Sequence, residues 1–156
     1  MNKKLDNIDI SILNALQKNS RISNAELSAK VNLSQTPCLR RLRSLEQSGL
    51  IERYSVQLNH QMIGANVSAF VFVKVNKNTS ENASDFETAI ANLAEVTECC
   101  VLAGAHDYVL RVATATLQSF ELFLKEKLAN VPMVEGIEST IILNQLIKRD
   151  AHLPHI

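Results

Sequence analysis

Apolar residues in the first 50 positions recur at spacings of three and four, which is typical of helices with one buried side. The first such stretch ends before Asn19. Ser23 or Asn24 can cap a second, short helix, and Ser34 is placed to cap a third. Gly49 suits the position just after the third helix. Three short helices with a tight turn before the last one predict a helix-turn-helix unit.

The pattern changes after these helices. The segment Ile51–Leu58 has the alternation of a strand, which we interpret as a wing or a linker strand. Between Asn59 and Asn66 the alternation lapses and Gly64 appears, so we place a domain boundary here. One domain is therefore expected over residues 1–60 and a second over residues 61–156.

Strand and helix patterns alternate through the second domain. Strands are predicted at Val67–Val75, Val96–Ala103, Tyr108–Ala115 and Val134–Ile147, and helices over residues 81–94 and 117–130. The order βαββαβ is that of a ferredoxin-like sheet built from two βαβ halves. Together with the helical unit before it, this order predicts an α+β protein.

The first predicted strand is apolar on both faces. Val71 and Val73 point to one face, and Phe70 and Phe72 point to the other. A ferredoxin-like sheet carries helices on one face only, so the phenylalanine face needs another cover. A second copy of the chain is the simplest one, and we therefore expect a homo-oligomer.

Charge is distributed unevenly along a chain whose formal net charge is zero. Residues 1–60 hold nine basic and five acidic side chains, whereas residues 61–156 hold seven basic and eleven acidic ones. The imbalance suggests that only the helical domain meets a polyanion, although a solvated surface with a chance imbalance would look the same.

The third predicted helix carries the side chains best suited to DNA. A recognition helix presents its N-terminal residues to base edges in the major groove. Gln35 and Thr36 are the candidates for base contact, and Arg40 is a candidate guanine reader.

Other polar residues of this domain suit the phosphate backbone. Ser34 and the helix N-terminus can hold a phosphate, and Arg41, Arg43 and Arg53 are interpreted as phosphate contacts that position the protein without reading sequence. The alternative is a helical bundle with a solvated arginine face. We favour double-stranded DNA as the partner.

Several classes of protein and site are disfavoured. The N-terminus has no secretory signal pattern, and the longest apolar stretch is too short to cross a bilayer, so we expect a cytoplasmic protein without a membrane segment. Three cysteines without CxxC spacing and four scattered histidines predict no metal site. Cys38 is either a small buried hydrophobe or a regulatory thiol.

At this point the sequence resembles the Lrp/AsnC family of leucine-responsive, or feast/famine, regulators. The residues that carry the resemblance follow in chain order. They are Leu5-Asp6-x-x-Asp9-x-x-Ile12-Leu13, Ser34-x-x-Pro37-Cys38-x-x-Arg41-x-x-x-Leu45-Glu46-x-x-Gly49-Leu50-Ile51, Gly104-x-x-Asp107-Tyr108 and Glu138-Ser139-Thr140. The resemblance covers nearly the whole chain and implies a transcription regulator.

The resemblance also implies an effector domain that binds an amino acid between neighbouring dimers, which assemble into octamers. Carried onto this sequence, the effector residues are Val101, Leu102, Ala103, Gly104, Ala105, His106, Asp107, Glu121, Lys125, Ile137, Ser139 and Thr140. The chemistry of the turn residues agrees in part with an amino-acid ligand. The Ala103–His106 turn can offer backbone N–H groups to a carboxylate, and Asp107 can meet an ammonium. The alternative for Asp107 is a turn residue that hydrogen-bonds its own backbone.

Two other functions compete with transcription regulation. His106 and Asp107 next to Cys99 and Cys100 could be imagined as a catalytic base with its nucleophile, but no catalytic motif supports an enzyme. The helical domain could alternatively dock onto a protein. We conclude that the chain is a DNA-binding regulator without catalytic residues, and that it takes an amino-acid effector rather than a cofactor.

Overall fold

The structure is a computed structural model that describes residues 5–76 and 80–147. Residues up to Gln57, together with Ile147, belong to one compact unit, and Leu58–Leu146 form the other.

The first unit contains the three predicted helices: α1 (Asn7–Lys18), α2 (Asn24–Lys30) and α3 (Gln35–Gln47). Ser23 caps α2 in a reciprocal arrangement, because its hydroxyl accepts from the Glu26 N–H while the Glu26 carboxylate accepts from the Ser23 N–H. The apolar stripes meet in one core, formed by Ile12, Leu13, Ala15, Leu27, Val31, Cys38 and Leu45. The predicted helix-turn-helix is confirmed.

Two left-handed residues shape this unit. Asn32 has φ of 53° in the turn between α2 and α3, where asparagine tolerates a conformation that most side chains avoid. Gly49 has φ of 74° directly after the Ser48 cap of α3, as its position predicted.

The strand predicted over Ile51–Leu58 is wrong for this structure. The segment forms no strand, and Val56 and Leu58 are 79% and 55% exposed. A strand needs a neighbour with which to exchange hydrogen bonds, and no described segment of the chain pairs with this one. The alternation of apolar and polar residues predicted a strand here, but it carries no information about a pairing partner.

The second unit forms a four-stranded antiparallel sheet with the spatial order β2-β3-β1-β4. The strands are β1 (Val67–Val75), β2 (Val96–Val101), β3 (Tyr108–Thr114) and β4 (Val134–Ile141). Helix α4 (Ser80–Ala91) follows β1, and α5 (Leu117–Leu122) follows β3. Helix α5 continues through a π-helical turn (Phe123–Lys127) and a 3-10 turn (Leu128–Asn130). The predicted βαββαβ order and ferredoxin-like class are confirmed.

Some strand ends differ from the prediction. β2 ends at Val101 rather than Ala103, and β4 ends at Ile141 rather than Ile147. β1 begins at Val67, so β4 has almost no partner left beyond the pairing of Ala69 with Ile141. Leu143, Leu146 and Ile147, which follow the end of β4, are therefore exposed, and Leu143 is 97% exposed.

The two faces of the sheet differ in burial. Val71 and Val73 are fully buried in one core with Phe86 of α4 and Phe123 of the π-helical turn. Phe70, on the opposite face, is 39% exposed, and the Arg111 guanidinium lies 5.9 Å from its ring centre. We call this second side the outer sheet face; within it, Phe70 lies opposite Arg111 on β3 and Thr140 on β4.

Candidate DNA-binding surface and effector site

The N-terminal half of α3 is an exposed polar surface on a buried apolar support. Cys38 and Leu45 hold the helix to the core. The exposed predicted contacts are Ser34, Gln35, Thr36, Arg40 and Arg43 on α3, and Arg53 beyond it. Ser34 is the N-cap residue as predicted, yet its side chain makes no capping hydrogen bond. The geometry therefore presents six of the seven predicted DNA-binding side chains to solvent.

A side chain of α2 fixes the start of α3. The Asn24 amide donates to the Gln35 backbone carbonyl over 3.0 Å, across the turn that contains Asn32. This bond holds the two helices together at the end where base contacts are expected.

Arg41 differs from the other arginines of α3 because it is engaged inside the unit. Its Nη1 lies 2.6 Å from Asp6 Oδ2 and 2.9 Å from Asp9 Oδ1, and the Asp9 side chain is only 3% exposed. The backbone N–H of Asp9, followed by Arg41, lowers the pKa of Asp6, and both carboxylates raise the pKa of Arg41. We call these three residues the Arg41 clamp, which ties α3 to the start of α1.

Sequence reasoning missed this clamp, although a signal was present. Asp6 and Asp9 are three residues apart at a helix start, where one caps the helix and the other points inward. A buried aspartate of this kind needs a cation, and Arg41 is the partner that the fold brings to it.

The predicted effector turn, Val101–Asp107, is attached to β1 through Asp107. The Asp107 N–H donates to the Val73 carbonyl over 3.0 Å, and Asp107 Oδ2 accepts from the Val75 N–H over 2.9 Å. The Asp107 carbonyl accepts from the Leu102 N–H over 2.7 Å, which closes the turn. The carboxylate thus bonds the backbone of a neighbouring strand, a structural role that sequence reasoning did not foresee.

His106 points from the same turn onto the outer sheet face. Its Nε2 lies 3.2 Å from Glu138 Oε2, and its ring centre lies 5.3 Å from that of Phe72. Glu138 is part of the family resemblance but is not among the predicted effector residues. The structure brings it to the turn.

The remaining predicted effector residues lie on separate elements. Glu121 and Lys125 are exposed and form an ion pair of 2.6 Å with each other, which lowers the pKa of Glu121 and raises that of Lys125. On β4, Ile137 and Ser139 oppose the buried Val73 and Val71, whereas Thr140 opposes Phe70 on the outer sheet face.

A cavity of about 460 Å³ lies between α4 and β2, beside the effector turn. Val101 of the predicted effector set lines it, together with Glu87, Ile90, Cys99 and Tyr108. The Tyr108 hydroxyl donates to Glu87 Oε1 over 3.3 Å, and burial, followed by Glu87, raises the pKa of Tyr108.

The cysteines differ in exposure, since Cys38 is buried whereas Cys99 and Cys100 are exposed on β2. Cys38 is fully buried, and burial raises the pKa of its thiol, which makes it a poor nucleophile. Across the described ranges, 5–76 and 80–147, no group of His, Cys, Asp and Glu side chains could hold a metal ion. No helix within those ranges is both long and apolar enough to cross a membrane.

Comparison with known proteins decides the family. A family model described as the Lrp/AsnC ligand binding domain matches residues 68–151, and one described as winged helix-turn-helix DNA-binding matches residues 5–52. The chain belongs to the Lrp/AsnC family. It is 38% identical over 144 residues to the leucine-responsive regulatory protein of Escherichia coli K12, covering 92% of this chain and 88% of that protein.

Solved structures of Lrp/AsnC regulators have the same fold. A transcriptional regulator of Neisseria meningitidis, solved in complex with L-Met, superposes with a TM-score of 0.91 at 33% identity over 97% of each chain. An AsnC family transcriptional regulator of Agrobacterium tumefaciens gives a TM-score of 0.89 at 29% identity, over 96% of this chain and 97% of that one. The chain is therefore a DNA-binding transcription regulator with a ligand-binding domain, and its family is one of regulators rather than enzymes.

Proposed function

We propose that the second unit binds a free amino acid and that this binding changes how the first unit engages its operator. One observation carries the proposal: the Neisseria meningitidis regulator, which shares the fold over 97% of the chain, was solved with L-Met. The ligand-binding family match over residues 68–151 supports the same domain for this chain. A small apolar amino acid is the effector class that we propose here.

The proposed DNA-binding surface is the exposed side of α3 with its flank. Gln35, Thr36 and Arg40 are proposed to contact bases, and Ser34, Arg43 and Arg53 to contact phosphates. The Arg41 clamp changes the role that we give to Arg41. Since its Nη1 already bonds two carboxylates, we propose that Arg41 mainly orients α3, with any phosphate contact secondary.

The proposed effector site centres on the turn Val101–Asp107. Its backbone N–H groups are assigned to the amino-acid carboxylate, and Asp107 to the ammonium. Glu121, Lys125, Ile137, Ser139 and Thr140 complete the proposed set. Because these residues lie on α5, on the π-helical turn after it and on both faces of β4, we propose that they act together across neighbouring subunits.

We further propose a cytoplasmic homo-oligomer of dimers that assemble into octamers. Phe70, which is 39% exposed on the outer sheet face, supports assembly, because a second copy of the chain would cover its aromatic ring. We propose domain limits of 1–60 and 61–156. The division of the two compact units after Gln57 supports the boundary near residue 60, whereas Ile147 falls with the first unit.

A paired titration tests the proposal. An operator is first selected from a random duplex pool, and its affinity is then measured with and without L-Met, chosen because of the Neisseria relative. A thermal-shift screen of the twenty amino acids runs in parallel, since a ligand that binds only the folded state raises its stability. We expect one amino acid to shift both the Tm and the operator affinity. If none shifts either quantity, the amino-acid effector is wrong.

A further inference from the structure

Three side chains from three elements meet at the end of the sheet near the effector turn. They are Phe72 of β1, His106 of the turn and Glu138 of β4, and we call them the His106 cluster. Phe72 and Glu138 are direct partners in the β1–β4 register, so both side chains lie on the outer sheet face. The imidazole ring packs at a tilt against the Phe72 ring, and its Nε2 lies beside the Glu138 carboxylate.

This placement gives the effector turn two different attachments. The backbone of the turn is fixed to β1 by Asp107, through Val73 and Val75. The second attachment is made by the His106 side chain, which contacts Phe72 and Glu138 on the outer sheet face. A ligand that moves the turn or reorders its N–H groups must therefore act on the ring of His106, because residue 106 lies inside that turn.

The pair itself is too exposed to serve mainly as a stabiliser. The side chains of His106 and Glu138 are 30% and 68% exposed, and a polar contact this exposed contributes little to stability. The His106–Glu138 pair instead connects the effector turn to the outer sheet face, through which copies of the chain are expected to associate. Effector coupling requires such a link, because a ligand shifts an equilibrium only by contacting the two states differently.

We propose that His106 and Glu138 are positioning residues that transmit occupancy of the effector turn to the outer sheet face, and so to the oligomer. This inference rests on the proposed function, because it presupposes an amino acid at the turn. It assigns Glu138 a role, and it gives His106 a role beyond ligand contact.

A double-mutant cycle on full-length protein tests the inference. His106→Leu, Glu138→Gln and the double variant are compared by sedimentation velocity with and without L-Met, or with the amino acid that gives the largest thermal shift. Each single variant should reduce the ligand-induced change in the association constant by about fivefold or more, the lower end of ordinary coupling. The double variant should lose no more than the larger single loss, because both changes break one link.

Two further variants separate positioning from general damage. Glu135→Gln makes the same charge change on the same exposed strand and should keep the full response. His106→Gln keeps a donor for Glu138 and should restore most of the response that His106→Leu loses. If His106→Leu does not fold, Glu138→Gln and His106→Gln alone still decide the question.

The possible outcomes are distinct. If the wild-type protein responds to an amino acid and Glu138→Gln responds equally, the coupling is overturned while the effector proposal stands. Additive losses in the cycle overturn it as well. If the wild-type protein binds no amino acid, the proposed function and this inference fail together.

Discussion

The recognition helix and the effector turn make different use of their polar side chains. On α3 the helical period places Arg41 on a different side of the helix from Arg40 and Arg43. Arg41 pairs with Asp9 and holds the fold together, whereas Arg40 and Arg43 are exposed. In the effector turn Asp107 and His106 both make contacts within the chain. A single chain therefore presents most of its proposed DNA-binding side chains on an exposed surface, whereas its predicted effector residues are spread over several elements. We infer that the effector site is completed by assembly.

The largest effect is expected from a substitution that breaks the oligomer, because assembly is what would complete the effector site. Phe72→Glu places a carboxylate on the outer sheet face, beside Glu138, where burial against a second copy would cost roughly several kcal/mol. Light scattering should show smaller species that keep their far-ultraviolet circular dichroism. Phe72→Leu keeps the face apolar and is the control. An oligomer unchanged by Phe72→Glu would remove the outer sheet face from the interface.

The second prediction concerns the Arg41 clamp. Arg41→Ala leaves Asp9 buried without its cation, which should lower the free energy of unfolding of the first unit by about 2 kcal/mol. Chemical denaturation of the variant and of the wild-type protein measures this loss.

Arg43→Ala is the matched control, since Arg43 is exposed and lies two residues further along α3. It should leave stability nearly unchanged and reduce the salt dependence of duplex binding by about one phosphate contact. If the two variants behave alike in denaturation, the clamp contributes nothing to the fold.

The third prediction separates the two roles of Asp107. Asp107→Asn keeps an oxygen that accepts from the Val75 N–H but removes the charge proposed to meet the ammonium. Amino-acid affinity should fall by roughly tenfold to a hundredfold, the range for a hydrogen bond to a charged group, while the Tm stays close to the wild-type value. Asp107→Ala should lower both quantities. Calorimetric titration that finds full affinity in Asp107→Asn would leave Asp107 as a structural residue only.

The smallest effect is expected from pH. The pKa of Asp6 is lowered, first by the Asp9 N–H and then by Arg41, so its stabilising contribution is complete above the ordinary carboxyl range and declines as pH falls through the lowered value. Asp6→Asn keeps the cap and removes the titration. Its Tm should decline less than that of the wild-type protein between about pH 5 and pH 3. If the Tm of both proteins declines equally as the pH falls, Asp6 does not contribute to the pH dependence of stability.

Local patterns predicted most of the fold. Ser23 with Glu26 marked the start of α2, and Val67–Val75 was predicted over the residues that the structure shows, because caps and alternation act within a few positions. The segment Ile51–Leu58 also alternates, yet it forms no strand. Alternation shows that a segment can pair, but the partner strand has to come from elsewhere.

The side-chain contacts that define the candidate sites were harder to predict. Asp6 and Arg41 are 35 positions apart, and His106 and Glu138 are 32 apart. Nothing within a local window fixes such pairs, since they depend on how α3 meets α1 and how β4 lies beside β1. Exposed residues such as Gln35 and Arg40 could be selected from sequence because the helical period alone assigns their side.

The strand order β2-β3-β1-β4 has a consequence for synthesis on the ribosome. Central strand β1 is made first, but its partner at the far edge begins at Val134, and Ala69 pairs with Ile141, 72 positions later. At ordinary translation rates this interval lasts roughly 4 to 14 seconds, during which the edge of β1 that pairs with β4 lacks its native partner. The other edge of β1 can pair sooner, because its partner β3 ends at Thr114. The nascent chain therefore passes through a stage open to aberrant strand pairing. In the helical unit ahead of it, by contrast, the buried core residues all lie between Ile12 and Leu45.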